Sequence, residues 1–286
     1  MTMLNRKVKG IIQLFRPELP FSAGVCVVLG EIAALGSFPP IREAMLGFIC
    51  GFFISGSALV SNDYFDIDVD RINAPSRPLP SGVVSPSEAV FFAAIAMMIG
   101  LTASFAISVQ ALILSLVFGA VGILYNWKFK QEGLWGNLMV AASVAITFIL
   151  GGLAVGQPFN KIVWFFSLTA FLIDLGEEIA GDAMDMEGDK LRNSKSIAIV
   201  YGRNRALRIS GAVFLLLILI SFIPYFLGWL GITYLIIISF ADIITIFSIA
   251  KLLKSQTPED GRRYMRWIYV GALFGMLAYI IAQFFA

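Results

Sequence analysis

Two short stretches carry most of the residues in this chain that can do chemistry. Residues 62–70 read NDYFDIDVD and residues 182–189 read DAMDMEGD. With Asp174, Glu177 and Glu178, which lead into the second stretch, they hold eleven of the 19 carboxylates. Carboxylates this close repel: at ~5 Å and an effective dielectric of ~20, each pair costs about 3 kcal/mol. Something cationic must therefore complete them. The chain contains no histidine, which removes imidazole as metal ligand or general base, and with it most zinc and haem chemistry. Hard oxygen donors without His or Cys select magnesium, calcium or manganese. Magnesium keeps several waters and is commonly held by one or two carboxylates plus a substrate phosphate. Bound to a pyrophosphate it makes a good leaving group, and an allylic C–O bond beside it can ionise.

The elements that must position these residues are set by composition. The chain is 58% hydrophobic and only 14% charged over 286 residues. A spanning helix needs roughly 20 mainly apolar residues, and nine segments qualify: 19–36, 44–61, 87–107, 109–127, 136–156, 161–181, 207–227, 229–250 and 266–285. In lipid every backbone polar group must bond internally, so these are helices. The expected fold is an all-α polytopic membrane protein forming a single transmembrane domain, residues 1–286. With nine spans, 19 of the 21 Lys and Arg residues fall on the side of the N-terminus, leaving Arg42 and Lys161 on the other. That side is expected to be cytoplasmic, with the loops 62–86 and 182–206 upon it. Residues 1–18 read as an interfacial helix without a signal peptide: Leu4, Val8, Ile11, Ile12 and Phe15 share a face, with Arg6, Lys7 and Lys9 elsewhere. Cys26 and Cys50, lacking any CxxC spacing, read as small core residues.

A faint repeat connects the two stretches. Asp63, Asp66 and Asp70 recur as Asp182, Asp185 and Asp189, each 119 residues on, and a cation follows each triplet, Arg71 or Lys190. Four spans separate them, so the second and sixth helices run in parallel to the same face. On a continuous helix of about 100° per residue, Asn62, Asp63, Asp66 and Asp70 fall within about 100° of arc. Glu178, Asp182, Asp185 and Asp189 form a narrower stripe, which Asp174 extends inward, while Asp68 and Glu187 point away. Asp174, Glu177 and Glu178 stand inside an apolar run, where each carboxylate costs roughly 2.5–3.5 kcal/mol on insertion scales. Two such stripes can hold two or more magnesium ions around a pyrophosphate. Arg71 and Arg77 follow the first stretch, Lys190, Arg192 and Lys195 the second, and Lys128 and Lys130 close the fourth span. The positive-inside bias accounts for any one of these cations equally well. An apolar tail on the substrate would lie between helices, against Phe52, Phe53, Phe91 and Phe92, while Gly47, Gly51 and Ser55 permit close helix approach.

The stretch NDYFDIDVDRINAPSRPLPSG (62–82) resembles the first aspartate-rich motif of the UbiA superfamily of intramembrane prenyltransferases. DAMDMEGDK (182–190) resembles its second motif, and YNWKFK (125–130) the short Tyr-and-Lys motif after the fourth helix. The resemblance covers essentially the whole chain and implies magnesium-dependent transfer of a polyprenyl group from its diphosphate to a lipophilic acceptor. It assigns Asn62, Asp66 and Asp70, with Asp182, Asp185 and Asp189, to the metal, and Asp63, on the same face, joins them as a metal candidate. Arg71, Arg77, Lys130 and Lys195 would grip the diphosphate, with Tyr125 near its allylic end; Lys128, Lys190 and Glu178 join them as substrate-binding candidates. NDYFD, RPLPSG and EGDK together most resemble the archaeal branch that joins geranylgeranyl diphosphate to geranylgeranylglyceryl phosphate. The product would carry the second ether bond of archaeal lipids. Glu177 and Gly181 stand where that branch commonly carries Arg and Lys, so the motifs leave the acceptor phosphate without an assigned place. An aromatic acceptor of quinone biosynthesis is the alternative within the superfamily. A cation transporter is the distant one, although its carboxylates belong near the midplane in inverted repeats. The proton of the acceptor hydroxyl would pass to a cluster carboxylate or to the released pyrophosphate.

Overall fold

The computed structural model describes residues 3–191 and 193–285. Arg192 and the side chain of Leu4, both invoked above, lie outside the described residues. The described residues form helices α1 (Met3–Phe15), α2 (Glu18–Leu35), α3 (Ile41–Phe65), α4 (Ile67–Asn73), α5 (Pro86–Ile107) and α6 (Val109–Trp127). A 3₁₀ turn (Phe129–Gln131) leads to α7 (Leu134–Ala154), α8 (Lys161–Met184), α9 (Met186–Leu191) and α10 (Ile197–Tyr201). The chain closes with α11 (Arg203–Ser221), α12 (Ile223–Phe226), α13 (Ile232–Leu252) and α14 (Pro258–Phe285).

Among the described residues, eight helices are long and apolar enough to cross a membrane. The remaining segment of the nine expected is α8. At 24 residues it reaches ~36 Å, but Asp174, Glu177, Glu178 and Asp182 dilute its apolar surface. Helix starts follow local chemistry. Ser85 caps α5 through a reciprocal box with Glu88, and Pro86 fills the first turn, where no N–H is needed. Gly36, at φ 65°, ends α2 by returning its N–H to the Ile32 carbonyl.

The α3 and α8 helices stop in the same way. Each breaks at an aspartate, Asp66 or Asp185, before a short continuation, α4 or α9. Asp66 N–H bonds the Asn62 carbonyl and Asp70 N–H that of Asp66; Asp185 N–H bonds the Gly181 carbonyl and Asp189 N–H that of Asp185. The offset is the same 119 residues as in the aspartates. The repeat therefore extends from side chains to backbone, and each stripe is interrupted at its central aspartate, where a continuous helix was expected.

The chain divides into two compact units, one running to Phe129 with Ile146–Ser167, the other comprising Lys130–Ala145 with the residues from Leu168. In the first, α2 and α3 approach closely because Gly51 lacks a side chain: a Cβ there would lie 2.9 Å from the Ala23 carbonyl oxygen. Gly56 likewise admits the Phe15 ring, which a Cβ would overlap at 2.0 Å. Phe15 gathers Phe52, Phe53 and Phe92 at ring distances of 5.2, 6.3 and 5.6 Å. Phe91 stands apart, 69% exposed. Val8 and Ile12 of α1 are exposed while Leu14 and Phe15 are buried. Cys50 is buried with its sulfur 2.8 Å from the Ser104 hydroxyl, and Cys26 is half-buried; both are free thiols. In the second unit Leu175, Ile179, Leu207, Phe214, Leu252 and Ile268 belong to one apolar core.

Candidate active site

The first stretch is anchored from both sides. Asp63, Asp66 and Asp70 are 4%, 8% and 3% exposed, an environment that ionised carboxylates tolerate only with partners. Arg16, at the junction of α1 and α2, donates to Asp63 Oδ1 at 2.5 Å. Its φ of 46° places it in the left-handed region, at a cost of about 1–2 kcal/mol. Arg77 donates to Asp70 Oδ2 at 2.7 Å and stands 3.9 Å from Asp63 Oδ1. Burial opposes the charge on Arg77, but its hydrogen bond to Asp70 and the charges of Asp70, Asp63 and Asp66 outweigh it. They hold the guanidinium above its ordinary pKa.

The RPLPSG turn explains this aim. Leu79 and Val84 are buried, Val84 N–H bonds the Pro78 carbonyl, and Pro78, Val83 and Val84 fit the space that Gly10 leaves on α1. The loop is thus pinned to the helix beside it, and its first residue reaches back to Asp70. Arg71 goes elsewhere. It pairs at 2.8 Å with Asp68, the exposed carboxylate expected to point away. Asn62 and Tyr125 are half-buried, and Lys128 is exposed, with its ammonium 6.0 Å from the centre of the Phe129 ring.

The second stretch, in the other unit, is more open. Asp182 is half-buried and accepts from Asn137 Nδ2 at 2.9 Å. Asp185, 58% exposed in its side chain, pairs with Arg262 of α14. Asp189 Oδ2 accepts from the Ser196 hydroxyl at 3.4 Å, and its carbonyl from Ser194 N–H. Deeper along α8, Glu177 accepts from the Tyr269 hydroxyl, and the charge of Lys130 reaches Glu178. Asp174 Oδ2 is buried without a hydrogen bond. Lys195 pairs with Glu132 at 2.8 Å, and Lys190 and Glu187 are exposed.

Four residues at these stretches escaped the reading from sequence: Arg16, Asn137, Arg262 and Tyr269. Asn137 and Tyr269 did leave a signal, as polar groups within apolar runs. Arg16 and Arg262 left none, since positive-inside bias places cations at those positions anyway.

The carboxylates suit magnesium by their chemistry. Hard oxygens cluster with no nitrogen or sulfur ligand beside them. Among the described residues no three His, Cys, Asp or Glu side chains close into a ready-made cage, and magnesium bound with a substrate phosphate needs none.

A family profile described as the UbiA prenyltransferase family matches residues 23–280. The chain belongs to that family. A digeranylgeranylglyceryl phosphate synthase of Methanocaldococcus jannaschii is 34% identical over 281 residues, 98% of each chain. One of Thermococcus kodakarensis is 31% identical over 275 residues, 96% of this chain and 98% of that one. A solved structure of a digeranylgeranylglyceryl phosphate synthase superposes with a TM-score of 0.81 at 33% identity, covering 97% of this chain and 98% of the other. A UbiA homolog from Archaeoglobus fulgidus, solved with DMAPP and Mg2+, shares the fold at a TM-score of 0.71 and 19% identity, covering 96% and 98%. The UbiA chain described here is thus an intramembrane prenyltransferase, with both aspartate-rich stretches inside the matched region.

Proposed function

We propose that this enzyme transfers a geranylgeranyl group from geranylgeranyl diphosphate to the free hydroxyl of geranylgeranylglyceryl phosphate, forming the second ether bond of an archaeal membrane lipid. The observation that carries this reading is near-full-length similarity to enzymes named for that product. Asn62, Asp63, Asp66 and Asp70 of one stretch and Asp182, Asp185 and Asp189 of the other would hold magnesium. When bound, magnesium neutralises the diphosphate leaving group.

The chain's own residues do the rest. Arg77, Lys128, Lys130, Lys190 and Lys195 supply positive charge to the diphosphate, with Arg71 joining once it leaves Asp68. Tyr125 stands by the allylic end. The allylic C–O bond breaks, diphosphate departs with the electron pair, and the acceptor oxygen bonds to the allylic carbon. Its proton passes to a cluster carboxylate or to diphosphate. The apolar helices keep water from the cation that forms. Nine crossings with a cytoplasmic N-terminus put both stretches on the cytoplasmic face of the cell membrane. In this topology α1 lies in the interface, exposing Val8 and Ile12 to lipid.

The test is product formation by purified protein in lipid, with labelled geranylgeranyl diphosphate, geranylgeranylglyceryl phosphate and magnesium, against an EDTA control. A magnesium-dependent digeranylgeranyl ether phosphate is expected. Transfer to 4-hydroxybenzoate or a dihydroxynaphthoate instead would move the enzyme to quinone chemistry. Folded protein that transfers to no acceptor would overturn the activity altogether.

A further inference from the structure

Helix α14 carries Arg262, Arg266 and Tyr269 at spacings of four and three residues, which a helix gathers onto one side. All three are exposed. Two of them cross to α8 and its end: the Tyr269 hydroxyl donates to Glu177 and the Arg262 guanidinium to Asp185. Along either helix the contact points are ~10–12 Å apart at about 1.5 Å per residue. The two bridges therefore form rungs between antiparallel segments.

Midway between the rungs, α8 presents Gly181, where an added Cβ would meet nothing within 4 Å. At the matching height α14 presents Arg266, which makes no ion pair among the described residues. Gly181 thus lies between Glu177, held by Tyr269, and Asp185, held by Arg262, with Arg266 at the matching position along α14. Positive-inside bias explains why α14 has arginines. It does not explain why Arg262 and Arg266, about 40° apart, share the side of α14 that carries Tyr269, while Arg263 lies about 100° from Arg262 and about 60° from Arg266.

We propose that Arg262 and Arg266 bind the phosphate of the acceptor over Gly181, and that Glu177, held by Tyr269 one turn deeper, accepts a hydrogen bond from the acceptor's hydroxyl. This rests on the phosphorylated acceptor argued above. Arginine's planar fork of donors matches phosphate bidentately, and Arg262 has donors left after its bond to Asp185. Arg266 and Tyr269 differ by ~4.5 Å along the helix axis, within the reach of a glyceryl phosphate headgroup. Anion outside and hydroxyl inside would orient the acceptor oxygen toward the apolar interior. An aromatic acceptor lacking phosphate gains nothing from the arginine pair.

The test compares wild type with R266Q, R262Q, their double variant, R266K and R263Q. KM and kcat are measured for geranylgeranylglyceryl phosphate and for geranylgeranylglycerol, which lacks the phosphate. Direct binding of geranylgeranylglyceryl phosphate without donor is read by titration calorimetry. Loss of charge-assisted hydrogen bonds should raise KM for the phosphorylated acceptor, and weaken its binding, by about 10–100-fold in the double variant. Losses on geranylgeranylglycerol should be at least about tenfold smaller than on the phosphorylated acceptor, since they reflect only the support that Arg262 gives Asp185. R266K should recover part of the loss, and R263Q should match wild type. Unchanged binding in the double variant, or equal losses on both acceptors, overturns the assignment while leaving the activity standing. Wild type that refuses geranylgeranylglyceryl phosphate but uses another acceptor overturns the acceptor reading, and this assignment with it.

Discussion

Asp63 and Asp182 occupy corresponding positions near the ends of α3 and α8, yet their surroundings differ. Asp63 is 4% exposed, with Arg16 at 2.5 Å and Arg77 at 3.9 Å. Asp182 is half-buried and takes a neutral amide from Asn137. The contrast holds along the stretches: Asp66 is 8% exposed, whereas Asp185, its counterpart, meets Arg262 in an exposed pair. The repeat reproduces the backbone break and the positions of the aspartates, but each stretch recruits its partners from its own part of the chain. A buried carboxylate needs a cation or must give up its charge. An exposed one is served by water, and its cation remains available to a ligand. The first stretch is thus the more tightly held of the two and the second the more open.

The largest effect should be common to both. Asp66→Ala and Asp185→Ala are each expected to cut turnover by at least about 10²–10³-fold while leaving the protein folded, as read by product assay beside size-exclusion chromatography. Near-normal activity in one alone would end the functional equivalence of the stretches. Next in size is a difference between them. Arg16→Ala strips a partner from buried Asp63 and should cost about 2–3 kcal/mol of thermal stability in lipid. The value is moderated because Arg77 remains and Arg16 is 30% exposed. Arg262→Ala should cost under about 1 kcal/mol, since both partners are half-exposed. Equal losses would remove burial as the source of the contrast.

With Asp182 as a proposed magnesium ligand, Asn137→Ala should raise the magnesium concentration needed for half-maximal turnover by about tenfold, as removal of a residue that orients a ligand does; a magnesium titration measures it. Smallest is Lys195→Ala. Its exposed bond to Glu132 predicts under about 1 kcal/mol of stability loss, with a modest rise in donor KM in steady-state assays. A donor KM that does not move would leave Lys195 as a tether between its loop and the turn after α6.

Much of this was legible in local pattern. The apolar segments match helices to within a few residues at most ends; α14 instead begins at Pro258, well before its expected start at 266. Its first two turns are charged, so hydropathy did not register them. The stripes were placed on unbroken helices, and the breaks at Asp66 and Asp185 went unforeseen because no proline or glycine marks either position. The small residues Gly47 and Gly51 do sit at close contacts with α2. Phe91 could not be told from Phe92 by type. Burial separates them: Phe92 packs with the cluster around Phe15 and Phe91 is exposed.

The sequence by itself determined the membrane class, the helical runs and the positions of the aspartates. Those rest on short-range causes: lipid leaves a backbone no partner but itself, and helical periodicity arranges residues a few positions apart. Only the tertiary structure decided which cation or polar group meets which carboxylate. Arg16 and Asp63 are 47 positions apart, Asn137 and Asp182 45, Arg262 and Asp185 77, and Tyr269 and Glu177 92. No local pattern couples residues so distant. Packing brings them together, and the desolvation of each carboxylate determines how firmly it must hold the partner it finds.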